Sequence, residues 1–322
     1  MLAYLVRRTA YGLLVVLGVI FFLFVLFFAV ASPDDIARQA VGPKAMPEVI
    51  AQWKVNHGYH LPVWPGPGHF TENLLVDHVE RMVTMDFGKS DADGVVIWQR
   101  IADGALPSLL LTLPMFVLGL LCSIFTSLFV AFFRETYIDK LVVGLSVLIM
   151  SIPTLLYIIG GQFVIGTLLR WFPVSGFDPD PTVIARFLAL PVLLGVLSGL
   201  GSSVRFYRTV FLEEIHRDYV RTARAKGAGE LRIMVNHVLR NSMVPILTEV
   251  VMAIPFLFTG SLLLEAGFGI PGLGAMTFEA ISANDFSTLR AMVFLGSLMF
   301  IVGQVLTDLS YTLVDPRIRL DD

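Results

Sequence analysis

Long apolar stretches separated by polar segments are the dominant pattern of this chain. Four of the stretches contain no charged side chain at all. A helix needs about 20 residues to cross the apolar core of a bilayer, which is about 30 Å thick. Because backbone polar groups cannot stay unpaired in lipid, such stretches must be helical. The pattern therefore predicts an all-α membrane protein with six membrane-spanning helices, at 9–33, 104–133, 141–169, 187–204, 243–266 and 290–314.

The first apolar stretch also has features of a cleaved signal peptide. Arg7 and Arg8 precede it, and the small residues Ala29 and Ala31 mimic a cleavage site. The apolar core of a signal peptide is usually about 7 to 15 residues long, and this stretch is longer. Its length favours a retained first span.

Lysine and arginine residues predict the orientation of the spans, since they accumulate in cytoplasmic loops. Placing both termini in the cytoplasm puts 14 of the 23 basic residues on that side. Six of the other nine lie in one long outer segment, 34–103, where the rule has little force. We therefore expect three parts: residues 1–33 with the first span, the extracytoplasmic segment 34–103, and a membrane core at 104–322 with a cytoplasmic loop at 206–241.

Composition narrows the chemistry further. Hydrophobic residues make up 56% of the chain and charged residues 15%, and the small net charge of -3 gives no indication of a nucleic-acid partner, so none is expected. Cys122 is the single cysteine, so neither an internal disulfide nor a thiolate zinc site can form. Its apolar surroundings predict a buried, unreactive thiol.

The outer segment carries an apolar stripe at helical spacing from Leu74 to Val83, with Thr71 as a possible cap. The stripe suits a helix packed on the outer ends of the spans, or a rim that receives a substrate-delivering protein. Four histidines in this segment raise the possibility of a metal site, but their spacing matches no dedicated one. They are His57, His60, His69 and His78.

No catalytic constellation was found, and no nucleotide site. Gly88-Lys89-Ser90 resembles the end of a phosphate loop, but Val83 occupies the position of the required earlier glycine. Glu249 and Glu265 fall near opposite ends of the fifth span, which leaves neutral polar groups at mid-membrane. We expect these groups to form helix–helix hydrogen bonds, or alternatively to line a pathway. They are Gln162, Thr259, Ser261 and Gln304.

The cytoplasmic loop at 206–241 is basic and rich in helix-forming residues, with one turn at Gly227. A basic loop can simply satisfy the orientation rule, but a polar loop this long between spans also suits docking of another protein. The candidate docking residues are Arg221, Thr222, Ala223, Arg224, Ala225, Lys226 and Gly227.

The ordered motifs of the chain resemble the first permease subunit of the dipeptide, oligopeptide and nickel ABC-importer family. The most specific segment runs from Tyr219 to Gly227, followed by His237-Val238-Leu239-Arg240-Asn241. Asp86-Phe87-Gly88-Lys89-Ser90, Pro271-Gly272-Leu273-Gly274 and the 314–318 segment extend the resemblance from end to end, and the oligopeptide and microcin-C branch is the most similar. Arg221 and Thr222 stand where importer permeases in general have Glu and Ala.

The resemblance implies a type I ABC-importer permease fold in a bacterial inner membrane, moving peptides or peptide-like compounds by alternating access. It implies a second, homologous permease, two cytoplasmic ATPase subunits that bind ATP-Mg, and an extracytoplasmic binding protein, with no cofactor or catalytic residue in this chain. Ala223 and Ala225 would then present a small-residue face to an ATPase groove. A permease for nickel or a metal complex remains an alternative, as does an ATP-independent carrier or channel.

Overall fold

The computed structural model describes residues 2–30, 32–42, 44–66 and 68–314, and within them the protein is all-α. In chain order the helices before the second span are α1 (Leu2–Phe24, continued by a π-helix at Val25–Val30), α2 (Pro33–Val41), α3 (Pro47–Asn56) and α4 (Leu74–Thr84). The next are α5 (Ile97–Phe132), α6 (Tyr137–Met150), α7 (Thr154–Gly161, continued by a π-helix at Gln162–Leu168) and α8 (Ile184–Ile215). The last are α9 (Asp218–Ala225), α10 (Glu230–Ile233, continued by a π-helix at Met234–Leu239), α11 (Met243–Thr259), α12 (Leu262–Phe268), α13 (Leu273–Ala283) and α14 (Phe286–Val314).

Four single helices are long and apolar enough to cross a membrane: α1, α5, α8 and α14. Two bent pairs raise the number of spans to six if each pair is one span. The all-α prediction is confirmed, and the six-span prediction agrees with this upper number. Residues 315–318 of the 314–318 motif, which include Arg317, lie outside the described residues, and so does Arg319.

The third predicted span, 141–169, is broken rather than continuous. The segment from α6 and the segment from α7 into its π-helix meet at an angle of 89°. Pro153 stands at the start of α7, and proline cannot donate the backbone hydrogen bond that would continue α6. The bend follows from that missing donor.

The fifth predicted span, 243–266, ends earlier than expected. α11 stops at Thr259 because Gly260 has a φ of 75°, which breaks the helical geometry. α12 starts two residues later and is followed by a second turn before α13. A tight turn at Gly269–Gly272 follows α12, so a short helix separates this turn from the span.

The fourth span is longer than predicted, since α8 runs from Ile184 to Ile215 instead of 187–204. Val204, Tyr207, Phe211 and Ile215 recur at three- or four-residue intervals and are all buried. This stripe keeps the polar inner end of α8 helical, because one face packs against its neighbours. The first third of the expected cytoplasmic loop is thus a continuation of the span.

The predicted outer helix is present as α4, with Leu74, His78 and Met82 on its buried face. The predicted cap Thr71 is wrong, because the side chain of Asn73 accepts a hydrogen bond from the N–H of Val76 at 3.0 Å. Asn73 directly precedes the first residue of α4, and a side-chain oxygen at that position can accept a hydrogen bond from a backbone N–H of the first turn.

His78 docks α4 onto the first span. Its Nε2 lies 3.1 Å from the carbonyl oxygen of Ile20, and its ring packs against Phe24 and Phe28. Burial, followed by the nearby Arg290 charge, lowers the pKa of His78 to about 4, so the ring is neutral near pH 7. The structure therefore shows α4 packed against one end of the first span.

A hydrogen-bond network ties the loop before α5 to the start of α14. The hydroxyl of Ser90 donates to Asp285 at 2.6 Å, and the backbone N–H of Asp91 donates to the same carboxylate at 3.0 Å. The carboxylate of Asp91 in turn accepts from the N–H of Ser287 at 2.8 Å. The segment that resembles a phosphate-loop end is therefore engaged in fixing the outer segment to the sixth span.

Candidate coupling surface and central cleft

Two short helices, α9 and α10, form the part of the loop after α8 that the sequence predicts to be cytoplasmic. The turn between them depends on Gly227, whose φ of 79° is a conformation that other residues adopt only with strain. The N–H of Gly227 bonds to the carbonyl of Arg224 at 3.0 Å, and the N–H of Ala228 bonds to that of Ala223 at 3.1 Å. These bonds close the carboxyl end of α9 and reverse the chain into α10.

The underside of this helix pair is apolar and buried. Val220 and Ala223 on α9 pack with Ile233, Met234 and Val238 on the following helical segment. The same cluster continues into the membrane helices through Ala131 of α5, Phe211 and Ile215 of α8, and Ile246 of α11. The helix pair is therefore packed against three spans through one continuous cluster of buried side chains.

The alanines of α9 do not share a face, which corrects the expectation that Ala223 and Ala225 form one small-residue surface. Ala223 is buried beneath the helix, whereas Ala225 is exposed. Residues two apart on a helix point in different directions, so the two could not face the same groove. The predicted docking residues that are exposed are Arg221, Thr222, Arg224, Ala225, Lys226 and Gly227.

Two polar contacts hold the exposed side in place, and both use residues that the sequence motif did not single out for this role. The guanidinium of Arg224 donates to both carboxylate oxygens of Glu230, at 2.6 and 3.2 Å, across the Gly227 turn. The hydroxyl of Tyr219 donates to the carboxylate of Glu214 at the end of α8. In the sequence, the only indication of the first contact is that the acidic residue Glu230 follows the basic residue Arg224 by six positions, across the turn.

A cleft of about 420 Å³ runs between α5, α8 and α11. Gly195 and Gly199, four residues apart on α8, have different surroundings. A Cβ at Gly195 would overlap the sulfur of Met115, whereas a Cβ at Gly199 would meet no atom within 4 Å. Gly195 therefore permits close packing, and Gly199 leaves the cleft wide. Five hydroxyl-bearing side chains also line it: Thr112, Ser123, Ser203, Tyr207 and Ser261.

The break after α11 forms one end of the cleft and is fastened by Glu265. This side chain is fully buried, and its carboxylate accepts hydrogen bonds from the N–H groups of Ser261 at 2.9 Å, Gly274 at 2.7 Å and Ala275 at 3.1 Å. The last two donors belong to the first turn of α13, where a carboxylate is favoured by the helix dipole. Ser108 of α5 joins the same cluster by accepting from the N–H of Leu273 at 2.7 Å.

Only Ser261 of the four predicted pathway residues lines this cleft. The amide of Gln162 donates to the carbonyl oxygens of Val174 and Gly267 at 3.0 and 2.8 Å, and so ties two outer loops together. Thr259 donates to Phe256 within its own helix, and Gln304 is exposed on α14. Glu249, which the sequence placed near the inner end of its span, lines the cleft instead of lying beyond it.

Cys122 and the four histidines of the outer segment differ in how far their side chains are exposed. Cys122 is exposed on α5, which corrects the expectation of a buried thiol. His57 stacks on Trp53 at 4.1 Å and His78 is buried under α4, while His60 and His69 are exposed. Among the described residues no three side chains of the metal-binding types come together in a possible metal site.

Comparison with known proteins agrees with the resemblance seen in the motifs. The sequence profile for the binding-protein-dependent transport system inner membrane component matches residues 123–320. The profile for the N-terminal part of such membrane components matches residues 1–112. Together the two matched regions include all of α8 and α11, and all of α5 except residues 113–122.

Individual relatives align over nearly the whole chain. A protein of Brucella abortus (strain 2308), provisionally named a peptide transport system permease, is 31% identical over 325 residues, which is 100% of both chains. A glutathione transport system permease of Salmonella typhimurium is 31% identical over 330 residues and 99% of both chains. A protein of Sinorhizobium fredii named as a probable peptide ABC transporter permease is 28% identical over 321 residues, covering 98% of this chain and 99% of its own.

Proposed function

Since the chain belongs to the family of inner-membrane components of binding-protein-dependent transport systems, we propose that it is the permease through which peptides or peptide-like compounds enter the cell. As a member of this family it is a multi-pass inner-membrane subunit and not itself an enzyme. The similarity to permeases named for peptide and glutathione transport carries the substrate proposal, because it extends over 98–100% of the chain.

The complete transporter contains a second, homologous permease beside this one, two cytoplasmic ATPase subunits that bind ATP-Mg, and an extracytoplasmic binding protein. Both termini lie in the cytoplasm, as the distribution of basic residues predicts. The outer segment, fixed to the first and sixth spans, faces the binding protein. The central cleft is completed by the second permease.

The exposed side of α9 and α10 docks on the ATPase through Arg221, Thr222, Ala225 and Lys226. Its apolar underside, seated on α5, α8 and α11, supports this role, since those three helices are the ones that line the cleft. Closure of the ATPase dimer on ATP moves the helix pair, and the packed contact carries that movement to the walls of the cleft. Substrate is thereby exposed to one side of the membrane at a time.

Uptake by reconstituted vesicles tests this function. The four membrane and ATPase subunits are placed in liposomes with ATP-Mg inside, and the binding protein with a labelled peptide is added outside. We expect accumulation of peptide that requires both the internal ATP and the binding protein. Accumulation without ATP would instead indicate a channel or a secondary carrier. Uptake of nickel and not of peptide would show that the substrate is a metal ion or metal complex.

A further inference from the structure

Glu249 places one ionisable carboxylate in the central cleft. It lies on α11, two turns from the start of that helix, and faces Tyr207 of α8, with which its side chain interacts. The described residues that line the cleft include no lysine, arginine or histidine. The cleft thus has one acidic group and no basic group of its own.

One oxygen of this carboxylate is buried without a hydrogen-bond partner among the described residues. Oε2 of Glu249 is the one buried side-chain polar atom of the described chain in that condition. Ionisable groups within a membrane bundle are costly, and they are almost always paired or placed on the route of a substrate or ion. The unpaired oxygen therefore points to a donor that the described residues do not supply.

The rest of the lining suits a short peptide in an extended conformation. The hydroxyls of Ser203 and Ser261, which are partly exposed, can exchange hydrogen bonds with peptide groups, and Gly199 leaves room in the cleft. The cleft volume of about 420 Å³ lies in the range of small-molecule sites. An ammonium group carries three donors and a positive charge, which are what an unpaired carboxylate oxygen requires.

We propose that Glu249 binds an ammonium group of the transported peptide during its passage through the cleft. The inference rests on the proposed import of peptides and adds a recognition group inside the permease. The ammonium group belongs either to the peptide's amino terminus or to a lysine side chain. Both present the same chemistry to the carboxylate, and the experiment separates them.

The test compares Glu249→Gln with the unaltered chain in the reconstituted transporter. Two peptide pairs are used: one differs by lysine against norleucine at a single position, the other by a free against an acetylated amino terminus. Pairs are chosen so that the unaltered transporter takes up both members measurably, at binding-protein concentrations that saturate each. Glu213→Gln, the same change at an exposed position on α8, is the control.

We expect Glu249→Gln to lower uptake of the ammonium-bearing member of at least one pair by about tenfold, equivalent to about 1.4 kcal/mol. The neutral member should change less than twofold, Glu249→Asp should be intermediate, and Glu213→Gln should change neither. The pair that responds identifies the source of the ammonium group. An equal effect on both members of both pairs, or no effect at all, overturns the proposal. If the unaltered transporter takes up no peptide, the proposed function fails instead.

Discussion

The helix pair α9–α10, which we propose lies on the inner side, and the turn between α11 and α13, which we propose lies on the outer side, both reverse the chain at a glycine with positive φ. They are held by different forces. At the outer turn a fully buried carboxylate, Glu265, accepts three backbone hydrogen bonds. At the inner pair the polar contact is a half-exposed ion pair, Arg224–Glu230, and an apolar underside supplies the attachment. Directional bonds fix a geometry, whereas an apolar contact lets a helix pair move as one body with the spans beneath it.

This difference suits a transporter in which the outer turn shapes one end of the cleft and the inner pair receives a partner. Unsatisfied backbone groups at the buried turn would be costly, so that region resists rearrangement. Surface ion pairs contribute little, so the inner pair keeps its charged side available for another protein. Substitutions at matched positions in the two regions test whether they are held by different forces.

The largest effect is expected from Glu265→Ala. Removal of the carboxylate leaves three buried N–H groups without an acceptor, which we expect to lower the free energy of unfolding by about 3–5 kcal/mol. The midpoint of denaturation in detergent measures the loss. Glu279→Ala, on the exposed side of α13, is the control and should change it by less than about 0.5 kcal/mol. Equal stability of the two variants would show that the carboxylate does not hold the turn.

The two alanines of α9 provide the next comparison. Ala223→Trp forces a large ring between α9 and the spans and should cost about 1–3 kcal/mol of stability through overpacking. Ala225→Trp lies on the exposed side and should leave stability unchanged while reducing copurification of the ATPase. Thermal denaturation and affinity purification of the assembled complex measure the two outcomes. Ala225→Trp complexes that keep their ATPase and normal uptake would contradict the proposed docking face.

Glycines in the two regions are constrained for different reasons. A Cβ at Gly272 would collide with the carboxylate of Glu265 and the hydroxyl of Ser108, whereas one at Gly227 would meet no atom within 4 Å. Gly272→Ala should therefore cost about 2 kcal/mol by displacing its neighbours. Gly227→Ala should cost about 1 kcal/mol from its positive φ alone. A larger loss of stability in Gly227→Ala than in Gly272→Ala would contradict the expectation that the steric constraint at Gly272 outweighs the conformational constraint at Gly227.

The smallest effect is expected at the Arg224–Glu230 pair. Its side chains are 40% and 44% exposed, so solvent screens the attraction and the coupling free energy should be about 0.2–1 kcal/mol. A double-mutant cycle with Arg224→Gln and Glu230→Gln measures it, and 1 M salt should reduce it further. A coupling free energy above about 2 kcal/mol would mean that the pair, not the apolar underside, fixes the turn.

Sequence patterns located the parts of this molecule whose chemistry is local. The apolar stretches predicted the spans, and the motif around Gly227 predicted two short helices with a turn between them. The patterns gave wrong limits where long-range packing intervenes. α8 extends to Ile215 because a buried stripe supports it, and the fifth span ends early because Gly260 meets the Glu265 cluster.

The face that a side chain presents, and the group that it meets, needed the tertiary structure. The amino-acid sequence shows that Glu249 and Glu265 are unusual within apolar spans, because a charged side chain in a membrane is costly in any fold. It does not show that Glu265 closes a turn with backbone donors nine and ten residues away, or that Glu249 lines a cleft. The apolar and basic segments alone thus determined a membrane protein with a charged cytoplasmic loop. Contacts between distant segments decided which of its residues fasten the structure and which remain available to bind.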